Sequence, residues 1–511
     1  MEETPSLLYK FKPLSDRLPS VKRPEGHVHF RTKMMWVIVI LVLYFIMTNV
    51  YLYGLDQSES LDLFAQYRTI MAGASGSLLQ LGIGPIVTAS IIMQLFVGAK
   101  IIKLDLTKRD DKACYQSVLK LLVIVMILFE ALPQVFGYLV PSDGAVDVLG
   151  SGGAKLMLIV QLFIGSYILF MMDEVVSKWG IGSGISLFIA AGVAQALFTG
   201  ALNWNPIDMG TAMSIENPPA GTIPRALYYV FTLSPEEMAN GGYESIFLGS
   251  PNPMIALVGT LAIFAVVAYL ESTRIELPLS HGNARGARGR YPIKLMYASN
   301  IPVILMSALL AIVSMTALLL YSNGFLSQIP LLGGNASIGY FEEGSTVAAG
   351  GLAWYLSAPQ GLTDWLMPIL DPAGYGNGHG VIQNLAHVAI YFTVMVMGSI
   401  LFAKFWVDTT NLGPEAVANQ IQRSGMQIPG FRRDPRVLKR VLERYIPTIT
   451  IMSGAMVGAL AAFADMVGTT GNASGTGVLL TVGILIHFYE AMGREQMMEM
   501  NPVMRGFFGG E

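Results

Sequence analysis

One cysteine, Cys114, in 511 residues leaves no partner for an intrachain disulfide and too few thiols for a cysteine-rich metal site. The six histidines fall at no short metal-ligand spacing, so composition offers no cofactor. Charge is scarce as well: Asp, Glu, Lys and Arg make up only 13% of the chain, against 53% apolar residues. That is more hydrophobic surface than one soluble domain can hide, and lipid is the solvent such a sequence calls for. Nor is the amino terminus expected to be a cleavable leader. Residues 1–33 are polar, basic and proline-containing, and no small-residue cleavage pattern follows the first apolar run.

What the sequence has instead is a series of apolar runs. Crossing about 30 Å of hydrocarbon takes roughly 20 apolar residues. Ten segments meet or approach this, at 34–53, 78–98, 117–140, 154–172, 181–202, 254–270, 298–321, 381–406, 446–467 and 475–492. An even number puts both termini on one side, and the distribution of Lys and Arg says which. The N-terminal tail carries Lys10, Lys12, Arg17, Lys22, Arg23, Arg31 and Lys33. Basic residues recur in the 2/3, 4/5, 6/7 and 8/9 connections, among them Arg285, Arg288, Arg432, Arg433 and Arg436. The opposite loops hold only Arg68 and Arg225 outside the spans, with several acids, so both termini are expected in the cytoplasm. The outer connections at 203–253 and 322–380 are rich in Gly, Pro, Ser and Asn, and their aromatic residues Trp354, Tyr355 and Trp365 suggest an interfacial position. Asn335 and Asn472 each open an Asn-Ala-Ser acceptor pattern, a match so short that chance supplies it often.

Two glycine clusters stand out. Gly82, Gly84 and Pro85 sit near the start of the second span, where a kinked, closely packed helix is the ordinary reading. Lys178-Trp-Gly-Ile-Gly-Ser-Gly-Ile-Ser opens the fifth. A dinucleotide G-x-G-x-x-G fails there because Ile185 or Leu187 replaces the third glycine, and a serine-nucleophile elbow around Ser183 fails at Ile181. The remaining reading is a helix start that puts Ile181 and Ile185, four apart, on one face. Acids inside the spans mark ion-coupled transporters, and Glu130, Asp465 and Glu490 are the candidates. Asp173 and Glu174 close the fourth span, where solvation or pairing with Lys178 is the economical account. No relay of acids emerges, and a membrane enzyme lacks any nucleophile–base or metal constellation.

Several long segments in order carry a family pattern: Gly82-Ile-Gly-Pro-Ile-Val-Thr; Asp173-Glu-Val-Val-Ser-Lys-Trp-Gly-Ile-Gly-Ser-Gly-Ile; Tyr291-Pro-Ile-Lys; Ser299-Asn-Ile-Pro-Val-Ile; and Gly475-Thr-Gly-Val-Leu-Leu-Thr-Val. Across all ten spans the chain resembles the SecY protein-conducting channel family of archaeal type, close to the alpha subunit of the eukaryotic translocon. The long outer 5/6 and 7/8 loops depart most from that pattern.

The resemblance implies an all-α polytopic membrane protein of ten transmembrane helices. Two pseudo-symmetric halves of five, an inverted repeat, would surround a central hourglass pore. It divides the chain into a cytoplasmic tail (1–33), an N-terminal half (34–202), an outer loop (203–253), a C-terminal half (254–492) with basic loops at 271–297 and 407–445, and a cytoplasmic tail (493–511). The pore ring would be Ile83, Val87, Ile181, Ile185, Ile304 and Leu480. Aliphatic side chains replace none of an ion's hydration shell, so such a ring resists wetting while yielding to a moving chain. A plug at about 61–71, with Leu61, Phe64, Tyr67 and Ile70, would sit under the ring. A lateral gate between spans 2–3 and 7–8 would use Thr88 and Asn300. Arg285, Arg288, Arg432, Arg433 and Arg436 would dock the ribosome through its RNA phosphates. The implied partners are a SecE-like gamma subunit and a small beta subunit forming a heterotrimer, signal sequences, nascent polypeptides and lipid. No cofactor and no enzymatic activity are implied.

Overall fold

The computed structural model describes residues 13, 17–26, 28–56, 71–98, 101, 102, 104, 109–208, 210–281, 288–297, 301–322, 338–342, 347–410, 412–423, 426, 427 and 435–500. Ten long helices carry the architecture: α1 (Phe30–Thr48), α2 (Gly84–Gly98), α3 (Arg109–Gly137), α4 (Asp143–Trp179), α5 (Gly184–Leu202), α6 (Met254–Ser272), α7 (Ile301–Ser322), α8 (Val381–Thr409), α9 (Pro435–Val467) and α10 (Gly475–Met500). Among the described residues, nine are long and apolar enough to cross a membrane, and α2 is a shorter apolar helix. In hydrocarbon every backbone amide must be paired internally, which is why these runs are helical.

Each helix has an inner and an outer stripe. On α1 the buried residues Val37, Ile40, Tyr44 and Met47 recur every three or four positions, while Met35, Ile38, Val42 and Ile46 are exposed and equally apolar. A helix that is apolar on its outer face as well belongs in lipid. The N-terminal five helices meet the C-terminal five along two seams. On one, α2 packs against α7 and α8; on the other, α5 packs against α10.

Several span boundaries differ from the hydropathy reading. The third, fourth and ninth helices begin at Arg109, Asp143 and Pro435, well before 117, 154 and 446, and α10 runs to Met500 beyond 492. Hydropathy registers only the most apolar part, whereas the backbone ladders of α3, α9 and α10 continue past it through residues such as Arg, Lys and Glu; the first turns of α4 are set off from the rest by a kink at Gly150, φ +72. The second span errs the other way. Its helix starts at Gly84, not 78, and Leu78–Ile83 is a buried run of turns. Pro85 is therefore at a helix start, where its missing donor costs nothing, rather than at a kink. The fifth helix begins at Gly184, so Ile181 precedes it and does not share a helical face with Ile185.

The basic connections add strands between the helices. β1 (Arg274–His281) pairs antiparallel with β2 (Arg288–Lys294). In the 7/8 connection, β3 (Tyr340–Phe341) pairs with β4 (Ala348–Gly350). A third strand of the β1–β2 sheet, β5 (Met426–Gln427), comes from the 8/9 connection and joins β1 through Ser280 and His281. The 6/7 and 8/9 loops thus form one sheet. The 5/6 connection contains helices Thr222–Thr232 and Tyr243–Phe247. In the 7/8 connection Trp354 is buried, not interfacial: it stacks on His379 with centroids 4.0 Å apart and lies 4.3 Å from His387.

Candidate functional site

The two glycine clusters and the head of α10 deliver apolar side chains to the interior. In the turn before α2, Gly82 adopts φ +55, and a Cβ there would lie 2.1 Å from the Met71 carbonyl oxygen. Only glycine permits this approach. It lets the Ile83 amide donate to the Met71 oxygen at 2.7 Å, burying Ile83 completely, and α2 then presents Val87 one turn on. Gly182, at φ +80, turns the chain between α4 and α5. Here the Asp173 Oδ1 accepts from the Ile185 amide at 2.9 Å, capping α5 from the end of α4. At α10 the carboxylate of Asp465 does comparable work. It accepts from the Thr476 amide at 3.1 Å, the Thr476 hydroxyl at 2.7 Å and the Tyr391 hydroxyl at 2.7 Å, joining α8 and α9 to the helix that carries Leu480.

All six sequence-predicted ring residues belong to one contiguous apolar cluster. Ile83, Val87, Ile181, Ile304 and Leu480 are buried members, and Ile185 is half-buried against them. They come from the turn before α2, α2 itself, the α4–α5 turn, α5, α7 and α10, so both halves contribute. Met71, the last residue of the predicted plug, and Ala72 after it are buried in the same cluster, and the Tyr44 hydroxyl donates to the Ala72 carbonyl at 3.2 Å. Leu61, Phe64, Tyr67 and Ile70 lie outside the described residues.

Thr88 is buried and donates from its hydroxyl to Glu130 Oε1 at 2.8 Å, as well as to the Gly84 carbonyl at 2.8 Å. Its proposed companion Asn300 lies outside the described residues. Glu130 is the functional-region residue that sequence reading treated only as a possible ion-coupling acid. Its position on α3 opposite Thr88 links the two helices at the seam where α2 and α3 approach α7. An acid in an apolar run was the available signal; its partner came from another helix. Glu490 is likewise taken up structurally, meeting Lys294 at 2.7 Å and Arg274 at 3.1 Å and so tying the β1–β2 hairpin to α10. Glu174 pairs with Lys178 at 3.0 Å, as expected, and also with Lys120. Among the described residues no group of His, Cys, Asp and Glu is placed to hold a metal.

Of the predicted docking residues, Arg288 opens β2 and Arg436 lies in the first turn of α9. Arg285, Arg432 and Arg433 are outside the described residues. The pairing of β1 with β5 nonetheless brings the two basic connections side by side.

Comparison with known proteins gives a consistent picture. Residues 77–489 match the SecY family model, and residues 42–76 match a model of the plug domain of Sec61p. The protein translocase subunit SecY of Archaeoglobus fulgidus is 45% identical, covering 99% of each chain. That of Haloferax volcanii is 45% identical over 98% of this chain and 99% of its own. Among solved structures, a protein-conducting channel aligns with a TM-score of 0.72 at 37% identity, covering 96% of this chain and 98% of its own. Sec61 in a canine ribosome–channel complex from the endoplasmic reticulum aligns at 0.69 and 36%, with the same coverage. With its family model spanning most of the sequence and relatives this similar end to end, the chain belongs to the SecY family.

Proposed function

We propose that this chain is the channel-forming subunit of a protein translocase, and that unfolded polypeptides cross the membrane between its two halves. The observation that carries this reading is the single apolar cluster in which Ile83, Val87, Ile181, Ile185, Ile304 and Leu480 converge from both halves. An ion finds no ligand there, whereas a polypeptide needs only that the halves part. A transporter would need polar groups in that position, and Glu130, Asp465 and Glu490 are each paired with groups on other elements of the fold. The task is conduction and not catalysis.

The lateral exit for hydrophobic segments runs between α2–α3 and α7–α8, with Thr88 on its wall. The plug is the segment ending at Met71, a residue buried in the same cluster as the ring. The Lys and Arg asymmetry supports cytoplasmic termini in a cell membrane. The sheet shared by the 6/7 and 8/9 connections supports a cytoplasmic ribosome-docking platform, in keeping with the ribosome-bound Sec61 relative. A SecE-like subunit and a small beta subunit complete the heterotrimer.

In a Cys114→Ser background, Val87→Cys is expected to crosslink to a cysteine in a polypeptide stalled midway across. Val39→Cys, on the exposed face of α1, is not. If Val87→Cys never meets the chain, the pore assignment is wrong. Orientation is checked with Ser424→Cys and Ser345→Cys, which an impermeant thiol reagent should reach from the cytoplasmic and the outer side respectively; the reverse pattern overturns it.

A further inference from the structure

The helix Thr222–Thr232 of the outer 5/6 connection is built inside out. Its inward face is polar. Arg225 is buried and donates from Nε to the Pro219 carbonyl at 3.2 Å and from Nη1 to the Gly249 carbonyl at 2.7 Å. Tyr229, one turn on and also buried, donates its hydroxyl to the Ile215 carbonyl at 3.3 Å. Its outward face is apolar: Ile223, Leu227, Val230 and Phe231 recur at helical spacing and are exposed, Phe231 by 83%. No Lys, Arg, Asp or Glu interrupts that face. Tyr243 and Phe247, on the short helix packed against it, extend the exposed patch.

The position of the helix says what covers it. The Thr222 hydroxyl donates to the carbonyls of Gly200, in the last turn of α5, and Asn252, two residues before α6, at 3.4 and 3.2 Å. The helix packs against both α5 and α6 and so begins level with the outer ends of two membrane spans. The exposed apolar surface of α5 continues to that level through Phe198 and Leu202, with Trp204, a residue type favoured at the water–lipid boundary, just beyond. The patch is thus continuous with the face the spans already give to lipid.

We propose that Thr222–Thr232 is an interfacial anchor whose Ile223/Leu227/Val230/Phe231 face lies in the outer headgroup–acyl boundary of the bilayer. Helices with one strongly apolar face rest at that depth, roughly 5–10 Å into the boundary. Glu236, Glu237 and Glu244, on the segment that follows, would stay in water.

The test uses the channel complex in vesicles, in a Cys114→Ser background. Phe231→Cys carries a nitrobenzoxadiazole probe, with Glu236→Cys as the comparison and the vesicle lipid spin-labelled near its headgroup. At 231 the probe is expected to emit further to the blue than at 236, to lose most of its intensity to the spin-labelled lipid, and to ignore aqueous iodide. Quenching by iodide would mean that the face is in water. Insensitivity to both quenchers would mean that a protein covers it. Either result overturns the proposal.

Discussion

The backbone amide of Ile83 donates to the carbonyl of Met71 at 2.7 Å, so the end of the predicted plug segment and the first residue of the apolar ring are held by one hydrogen bond. Gly82 makes that bond possible. Gly82→Ala would put a methyl group 2.1 Å from the Met71 oxygen at a left-handed backbone position. A strain of about 1–3 kcal/mol is expected. The purified complex should melt at lower temperature, and the closed channel should pass more ions in planar bilayers. An unchanged seal with unchanged melting would show that the turn relaxes freely.

Replacing Ile83, Ile185 and Ile304 together by Asn places amides in the apolar cluster proposed to seal the pore. The closed channel is expected to leak ions while still translocating an unfolded chain, since passage needs compliance and not a particular side chain. Bilayer conductance and protease protection of a translocated substrate measure the two separately. An ion-tight triple variant would assign these residues to packing alone.

Thr88→Val removes a donor from the buried carboxyl group of Glu130 without changing side-chain shape. Leaving such a group unsatisfied costs about 1–3 kcal/mol. Glu130→Gln keeps an acceptor opposite Thr88 and is expected to stay within about 1 kcal/mol, the usual scale of an interhelical hydrogen bond in a membrane. Thermal melts of the two variants and of the double variant decide it: Thr88→Val should be the more harmful, and Glu130→Gln should partly relieve it.

The N-terminal tail is docked onto the end of α4. Glu174 Oε2 accepts from the Val21 amide at 2.9 Å, Lys178 Nζ donates to the Val21 carbonyl at 2.6 Å, and the Trp179 indole donates to the Lys22 carbonyl at 2.9 Å. Glu174→Gln would weaken this node and leave Lys120 and Lys178 without their counter-charge. Trypsin should then cleave at Lys22 and Arg23 faster than in the parent, as read by mass spectrometry. Equal rates would mean that the tail is held elsewhere.

Reversing Arg285, Arg288, Arg432, Arg433 and Arg436 to Glu should weaken ribosome binding, with the largest difference at low salt, where phosphate attraction is least screened. Cosedimentation across a salt series measures this. Equal binding with normal membrane insertion would leave these residues a topological role only.

The sequence by itself determined that the chain lives in lipid, how many spans it makes and which side its charges favour. Each of these follows from composition and local order: a run of apolar residues has to be helical in hydrocarbon, and its flanking cations act close to where they stand. The glycine motifs also located the residues that reach the apolar cluster, but not the way they reach it. That Gly82 sits in a tight turn ahead of a shorter α2 depends on Met71, eleven positions back, whose carbonyl has no other mark in the sequence. The partnership of Glu130 with Thr88, of Asp465 with Tyr391 and Thr476, and of Glu490 with Lys294 and Arg274 was equally hidden. A lone acid in an apolar run reads as an ion-coupling site until another helix is brought against it. The sheet that unites the 6/7 and 8/9 connections has the same origin, since β5 is two residues long and is a strand only because β1 lies beside it. Tertiary structure decided these things because a buried polar group is defined by its partner, and here those partners lie on other elements of the fold, most of them tens to hundreds of residues away.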